Sequence, residues 1–342
     1  MSYTQEHRDQ LESRGWTVVP AVVSEADCDR HQADFRKWLS GFTQWPQSRS
    51  SMIWRYKSGH LAPAWEVRLA AKDTFAQIWG TTGLLSSMDG IAIGRAPEHS
   101  NDEAFWEARQ DKFRSEQTAE REGLHAYQGM VNLEHCEADD WTYEVLEGSH
   151  KHYDNFMESS QQWHCTCLKP EHIAWFEEKG CSRKRVACPK GGMLVCDARL
   201  FRANARPTRG RANPGRWRFL IFVCMTPASW ATDSDLAVKR KAYENLMLTK
   251  HWPSQKIELF RTDIYSKQAS DPYPEFTLPE VACTGKAKKL AGVMAYSDNE
   301  EDPEFRPTWN EDKWGAFIDE EKLKNLAISQ RKLKKDTGQE AE

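Results

Sequence analysis

Apolar positions along the first eighty residues recur at helical spacing and then give way to short runs of the kind that fill strands. Thr4 to Arg14 is polar and stops at Gly15, which predicts a short helix with a glycine end. Trp16 to Val23 (WTVVPAVV) predicts a strand interrupted at Pro20. Ser24-Glu-Ala-Asp27 has the form of a capping box, opening a helix that runs to about Leu39 with Cys28, Phe35 and Leu39 on one face. Trp65, Leu69, Phe75 and Trp79 mark a second amphipathic helix over about Ala64 to Trp79.

Short β-like pieces follow at Gly90–Ile93, Tyr127–Leu133, Trp141–Leu146, Arg185–Ala187, Met193–Cys196 and Arg216–Met225, with Gly, Pro and Asn at the breaks. Asp235 to Lys250 reads as a charged helix ended by His251-Trp252-Pro253. Pro272 to Lys313 reads as extended, and Glu320 to Glu342 as a Lys/Glu-rich helix or tail. This order predicts an α+β chain, mainly β with helices: a sheet sandwich or jelly roll dressed by helices. Residues 1–83 form its N-terminal dressing, 84–230 its core, and 231–342 a C-terminal extension.

Composition narrows the class. The 342 residues carry a formal net charge of -4, which disfavours a dedicated nucleic-acid binder. The longest apolar run, Phe219 to Met225, is far shorter than the ~20 residues of a membrane span, and the first residues are polar. A soluble intracellular protein is expected. The nine cysteines, an odd number spread from Cys28 to Cys283, suit free thiols in a reducing compartment.

Three segments carry a resemblance. Tyr127-Gln-Gly-Met-Val-Asn-Leu133 with Leu146-Glu-Gly-Ser-His-Lys151 is one, and Lys190-Gly-Gly-Met-Leu-Val-Cys-Asp-Ala-Arg199 is another. The third is Arg216-Trp-Arg-Phe-Leu-Ile-Phe-Val-Cys-Met-Thr-Pro227. In order and spacing they resemble the phytanoyl-CoA dioxygenase-like branch of the Fe(II)/2-oxoglutarate dioxygenases, over roughly residues 16–255. The stretch from Trp65 to Asp89-Gly90 and the segment Thr249-Lys-His-Trp-Pro253 also look like parts of some members. The resemblance implies a double-stranded β-helix. It also implies a His-x-Asp pair and a distal His around Fe(II), and an Arg for the far carboxylate of 2-oxoglutarate, here Arg216 or Arg218.

The chain departs from that pattern at the metal. Counting back fourteen from Gln128 places Arg114-x-Glu116 where the His-x-Asp is implied, and Arg202 stands at the distal His. No histidine lies between His172 and His251. A guanidinium has five donors, no acceptor and does not deprotonate, so it cannot ligate iron. The Arg114–Glu116–Arg202 set still sums to +1, as a loaded iron site does, so an ion-pair triad is expected in the metal's place.

The leading expectation is therefore a binding, scaffold or structural protein without the oxygenase chemistry, a pseudoenzyme with no cofactor whose partner is another protein or a larger assembly. The alternatives are an active Fe(II)/2-oxoglutarate dioxygenase with a rearranged ligand set, and a zinc- or anion-binding regulatory module. The third draws on two features. Arg199 to Arg218 holds seven arginines and no acid, an expected port for a small anion. His164, Cys165, Cys167, Cys181 and Cys188 cluster soft ligands, though not at standard zinc spacing.

Overall fold

The structure is a computed structural model that describes residues 3–42, 51–99, 103–107, 112–118, 121, 123–160, 167–260 and 276–296. The tail from Glu320 to Glu342 lies outside the described residues. The strands are β1 (Trp16–Val19), β2 (Met52–Ile53), β3 (Leu84–Ser86), β4 (Ile91–Gly94), β5 (Tyr127–Asn132), β6 (Thr142–Glu147), β7 (Ser182–Val186), β8 (Met193–Asp197), β9 (Arg202–Ala205) and β10 (Arg218–Pro227). They form two antiparallel sheets. The larger runs β1-β8-β5-β10-β4-β2, with β3 also on β10, and the smaller runs β7-β6-β9. The predicted helix-decorated jelly roll is the fold observed.

Alternation along the central strands explains why they read as unbroken apolar runs. On β10, Phe219, Ile221, Val223 and Met225 face a core shared with the N-terminal helices. Leu220 and Phe222, between them, join a second core with Met130 of β5 and Leu194 of β8. Tyr143, Val145 and Val186 of the smaller sheet close that inner core. A strand covered on both faces has no polar side to show.

Three helices cover the outer face of the larger sheet. α1 (Gln5–Arg14) ends at Gly15 in the left-handed conformation. α2 (Glu25–Leu39) is capped by Ser24, whose hydroxyl accepts from the Asp27 N–H. α3 (Ala62–Trp79) begins with Pro near its first turn and ends at left-handed Gly80. The Trp79 indole N–H donates to the Met225 carbonyl at 2.7 Å, which fastens α3 to β10. Gly191, in the Lys190-Gly-Gly turn before β8, has φ +74° and lies so close to Val23 that a Cβ there would meet its carbonyl oxygen at 2.0 Å. Only glycine fits.

The chain past β10 differs from expectation. The charged helix is shorter, Asp233–Glu244, and Thr249 then bridges to Leu259. Two short helices, Glu280–Cys283 and Gly285–Leu290, occupy part of a segment expected to be extended. Thr284 caps the second by accepting from the Ala287 N–H, and Ala282, Ala287 and Leu290 are buried. Local capping and a small apolar face therefore form helices where the window looked merely polar. Among the described residues no helix is long and apolar enough to cross a membrane.

Lys239, on Asp233–Glu244, is fully buried and donates from Nζ to the Ser86 carbonyl at 2.6 Å. Burial, with Arg68 adding to it, pushes this ammonium down from 10.5 to about 7. Between those values the unfolded chain holds a proton that the folded chain lacks, so this lysine's contribution to stability rises with pH. In urea melts the parent should gain on Lys239→Met, by up to about 4 kcal/mol, as the pH goes from 7 to 10. Parallel pH curves for the two proteins would count against the assignment.

Candidate functional site

Arg114 and Arg202 are brought together by the backbone itself. The Arg114 N–H donates to the Arg202 carbonyl at 2.9 Å and the Arg202 N–H to the Arg114 carbonyl at 3.0 Å, a single antiparallel bridge at the start of β9. Glu116, two residues along, turns into the same space. Its Oε1 lies 3.6 Å from Arg114 Nε and 3.7 Å from Arg202 Nη2. The three residues read from the sequence as the altered metal positions thus converge.

They line a cavity of about 290 Å³ at the mouth of the two sheets. Its apolar wall is Met52, Trp54, Tyr143 and Phe222. Its polar wall adds Lys112, Cys167, Asn204 and His251. Arg202 also donates to the Gln128 side-chain oxygen, from Nη2, while its Nη1 is buried with no hydrogen-bond partner.

Two residues that the sequence reading left without a role complete the site. His251 packs edge-on against Phe222 at 5.8 Å between ring centres. Its Nδ1 contacts a carboxylate oxygen of Asp89, and its Nε2 lies 3.6 Å from Glu116 Oε2. Asp89 is fully buried, and its other oxygen accepts from the Gly90 N–H at 2.6 Å. The fully buried Arg68 of α3 donates to the Asp89 carbonyl at 3.0 Å and the Gly59 carbonyl at 2.6 Å, fixing that turn. The only sequence signal was that Asp89-Gly90 and the Thr249–Pro253 segment both fell within the resemblance.

Electrostatics follow from this packing. Burial raises the Glu116 carboxyl, but His251, Arg114 and Arg202 outweigh it and hold the group down at about 2. Burial lowers His251, but Asp89 and Glu116 outweigh it, so the imidazole sits above its ordinary value with Arg202 opposing. His251 is therefore held toward the imidazolium form, with a proton on both nitrogens.

This donor set does not suit Fe(II). Two positions are guanidinium groups with no lone pair, and the one imidazole at the site turns a nitrogen toward a carboxylate on each side. Among the described residues no group of three or more His, Cys, Asp and Glu could hold a metal ion.

The remaining candidates are dispersed. Arg218 is buried behind the cavity wall, donating to Asn204 Oδ1 at 2.8 Å and Ser51 Oγ at 3.1 Å, with its guanidinium carbon 5.0 Å from the Tyr143 ring centre. Its Nε and Nη2 are buried with no hydrogen-bond partner. Arg216 points elsewhere and pairs with Asp140 at 2.6 Å. Of the other loop arginines, Arg199 pairs with Asp197, Arg209 with Glu103, and Arg211 with Glu98 and Asp140, while Arg206 donates to the Phe105 carbonyl. The loop's charge is thus largely spent on its own fastening. Cys181 is buried among Phe156, Phe176 and Phe201, and Cys188 pairs through its backbone with Cys136. Cys167 is exposed at the cavity, and His164 and Cys165 lie outside the described residues.

No family model matches the chain. The Ava biosynthesis cluster protein O of Aspergillus versicolor is 22% identical over 277 residues, which cover 73% of this chain and 86% of that protein. Among solved structures, EctD from S. alaskensis with 2-oxoglutarate and 5-hydroxyectoine aligns at TM-score 0.47 and 15% identity, over 66% of this chain and 77% of that one. GlcNAc Inducible Gene 2, GIG2 (DUF1479), from Candida albicans aligns at TM-score 0.55 and 12% identity, over 96% of this chain and 83% of that one. What this chain shares with the Candida albicans structure, along nearly its whole length, is the fold.

Proposed function

We propose that this chain uses the oxygenase-type jelly roll as a metal-free receptor for a small dianion, with a dicarboxylic 2-oxo acid as the best-fitting class. The observation that carries it is the buried, unpartnered Nη1 of Arg202, a guanidinium that lines the cavity beside Arg114. A buried donor left unpaired costs about 1–3 kcal/mol, more when charged, and a ligand carboxylate removes that cost. Lys112, Arg114, Arg202 and His251, set against Glu116 and Asp89, leave the cavity wall with an excess of about two positive charges. The resemblance supports the same class of ligand. The structural or assembly role expected from the sequence needs no such cavity, and iron chemistry needs lone pairs that Arg114 and Arg202 do not have.

Calorimetric titration with 2-oxoglutarate and succinate in EDTA, together with iron and zinc content of the purified protein, tests this. Binding should persist in chelator, and saturating ligand at one hundred times Kd should stabilise the fold by about 2.7 kcal/mol. Arg202→Met should weaken binding at least tenfold, roughly 1.4 kcal/mol or more, the scale of one lost charge-assisted hydrogen bond. Failure of both dicarboxylates to bind at millimolar concentration, or stoichiometric iron with 2-oxoglutarate turnover, would overturn the reading.

A further inference from the structure

We propose that His251 and Glu116 form a metal-free proton-transfer pair that enolises a 2-oxo acid held in the cavity, an activity that rests on the anion-binding reading above. Asp89, fully buried behind the ring, holds Nδ1 and so aims Nε2 at the cavity. Glu116 stands on the cavity side, 3.6 Å from Nε2. The carboxylate faces His251 through one oxygen and the arginine pair through the other. None of these three contacts is closed to the 2.7–2.9 Å of a charge-assisted hydrogen bond, so Glu116 is held by field rather than locked by geometry. A ligand carboxylate arriving at Arg114 and Arg202 takes over their charge. That relieves the cations' hold on Glu116, and its basicity rises where a carbon-bound proton is presented.

The step balances without oxidant or metal. The C–H bond beside the ketone breaks, its proton goes to Glu116, and its electron pair becomes the C=C bond of the enol. The carbonyl π pair takes the proton from His251 Nε2. The Glu116 proton exchanges with solvent and one returns to carbon, while the enol O–H gives its proton back to His251 Nε2, which regenerates the ketone and both groups. The charged groups facing His251 are Asp89, Glu116 and Arg202. The two carboxylates favour its protonated, donating form, in keeping with its upward shift.

The test follows the C3 protons of 2-oxoglutarate by NMR in D2O, with EDTA present and binding measured in parallel. Protein-dependent loss of the C3 signal is expected, at least tenfold above buffer, with the rate falling as pH rises past the His251 titration. His251→Gln and Glu116→Gln should each lower it by about a hundredfold or more, compared at ligand concentrations that calorimetry shows to saturate each variant. The Glu116 variant leaves the His251–Asp89 contact in place, so it reports even where the histidine variant folds poorly. Binding without exchange by the parent, or exchange unchanged in the variants, would overturn this inference alone. Absence of binding would remove the anion-receptor reading and this one with it.

Discussion

Asp89→Asn should destabilise the protein by about 3 kcal/mol, because it leaves the buried His251 imidazolium without the carboxylate at its Nδ1. The side chain it alters is fully buried and of nearly unchanged shape, so packing contributes little. The pH dependence identifies the cause. The folded His251 titrates above its ordinary value, so its pairing stabilises fully below the unfolded pKa near 6.5 and is lost as pH rises through the folded value. The gap between parent and variant in urea melts should be widest below the unfolded value near 6.5 and narrow as the pH rises through the folded His251 titration. A gap that is constant with pH would mean that Asp89 acts through its hydrogen bond to Gly90 alone.

The second large effect is a gain. Arg114→His, Glu116→Asp and Arg202→His together should convert a chain without an iron-competent donor set into one that takes up about one Fe(II) per molecule. The bridge between residues 114 and 202 is made by backbone atoms, so the substitutions leave it in place and the two imidazoles start from adjacent positions. Elemental analysis after anaerobic loading reads the result. Parent and triple variant with equal iron would show that the three positions do not form the metal site. His251, already turned between Asp89 and Glu116, is not needed for this uptake, so His251→Gln in the triple variant should leave the stoichiometry unchanged.

The parts of this fold that were legible are those whose side chains meet apolar surroundings on both faces. β5, β8 and β10 stood out as apolar runs, while the capping serine of α2, the glycine end of α1 and the apolar spacing of α3 marked their helices. β9 did not, since Arg-Ala-Asn-Ala looks like a loop. It is buried at every position because its polar groups meet partners from other strands: Gln128 for Arg202 and Arg218 for Asn204. β2 is two residues long and carries no periodicity at all. The two helices between Glu280 and Leu290 depend on one threonine cap and a few alanines.

The site divides the same way. Arg114 and Glu116 were read by counting back from Gln128 and Arg202 by counting on from Asp197-Ala-Arg199, and a backbone bridge brings the two arginines together. Asp89 and His251 obey no local spacing. They lie 162 positions apart and meet only because Arg68 fixes the turn at Asp89, while the Met88 carbonyl accepts from the Thr249 N–H and the Met88 N–H donates to the Thr249 hydroxyl. Single-sequence pattern carries no record of such a meeting.

The pairing of β1 with β8 has a consequence for biogenesis. Trp16 sits opposite Cys196, so the first strand waits for 180 further residues before its partner is made. At a synthesis rate of 5–20 residues per second that delay is roughly 10–35 s, during which an apolar tetrapeptide, Trp-Thr-Val-Val, has an open hydrogen-bonding edge.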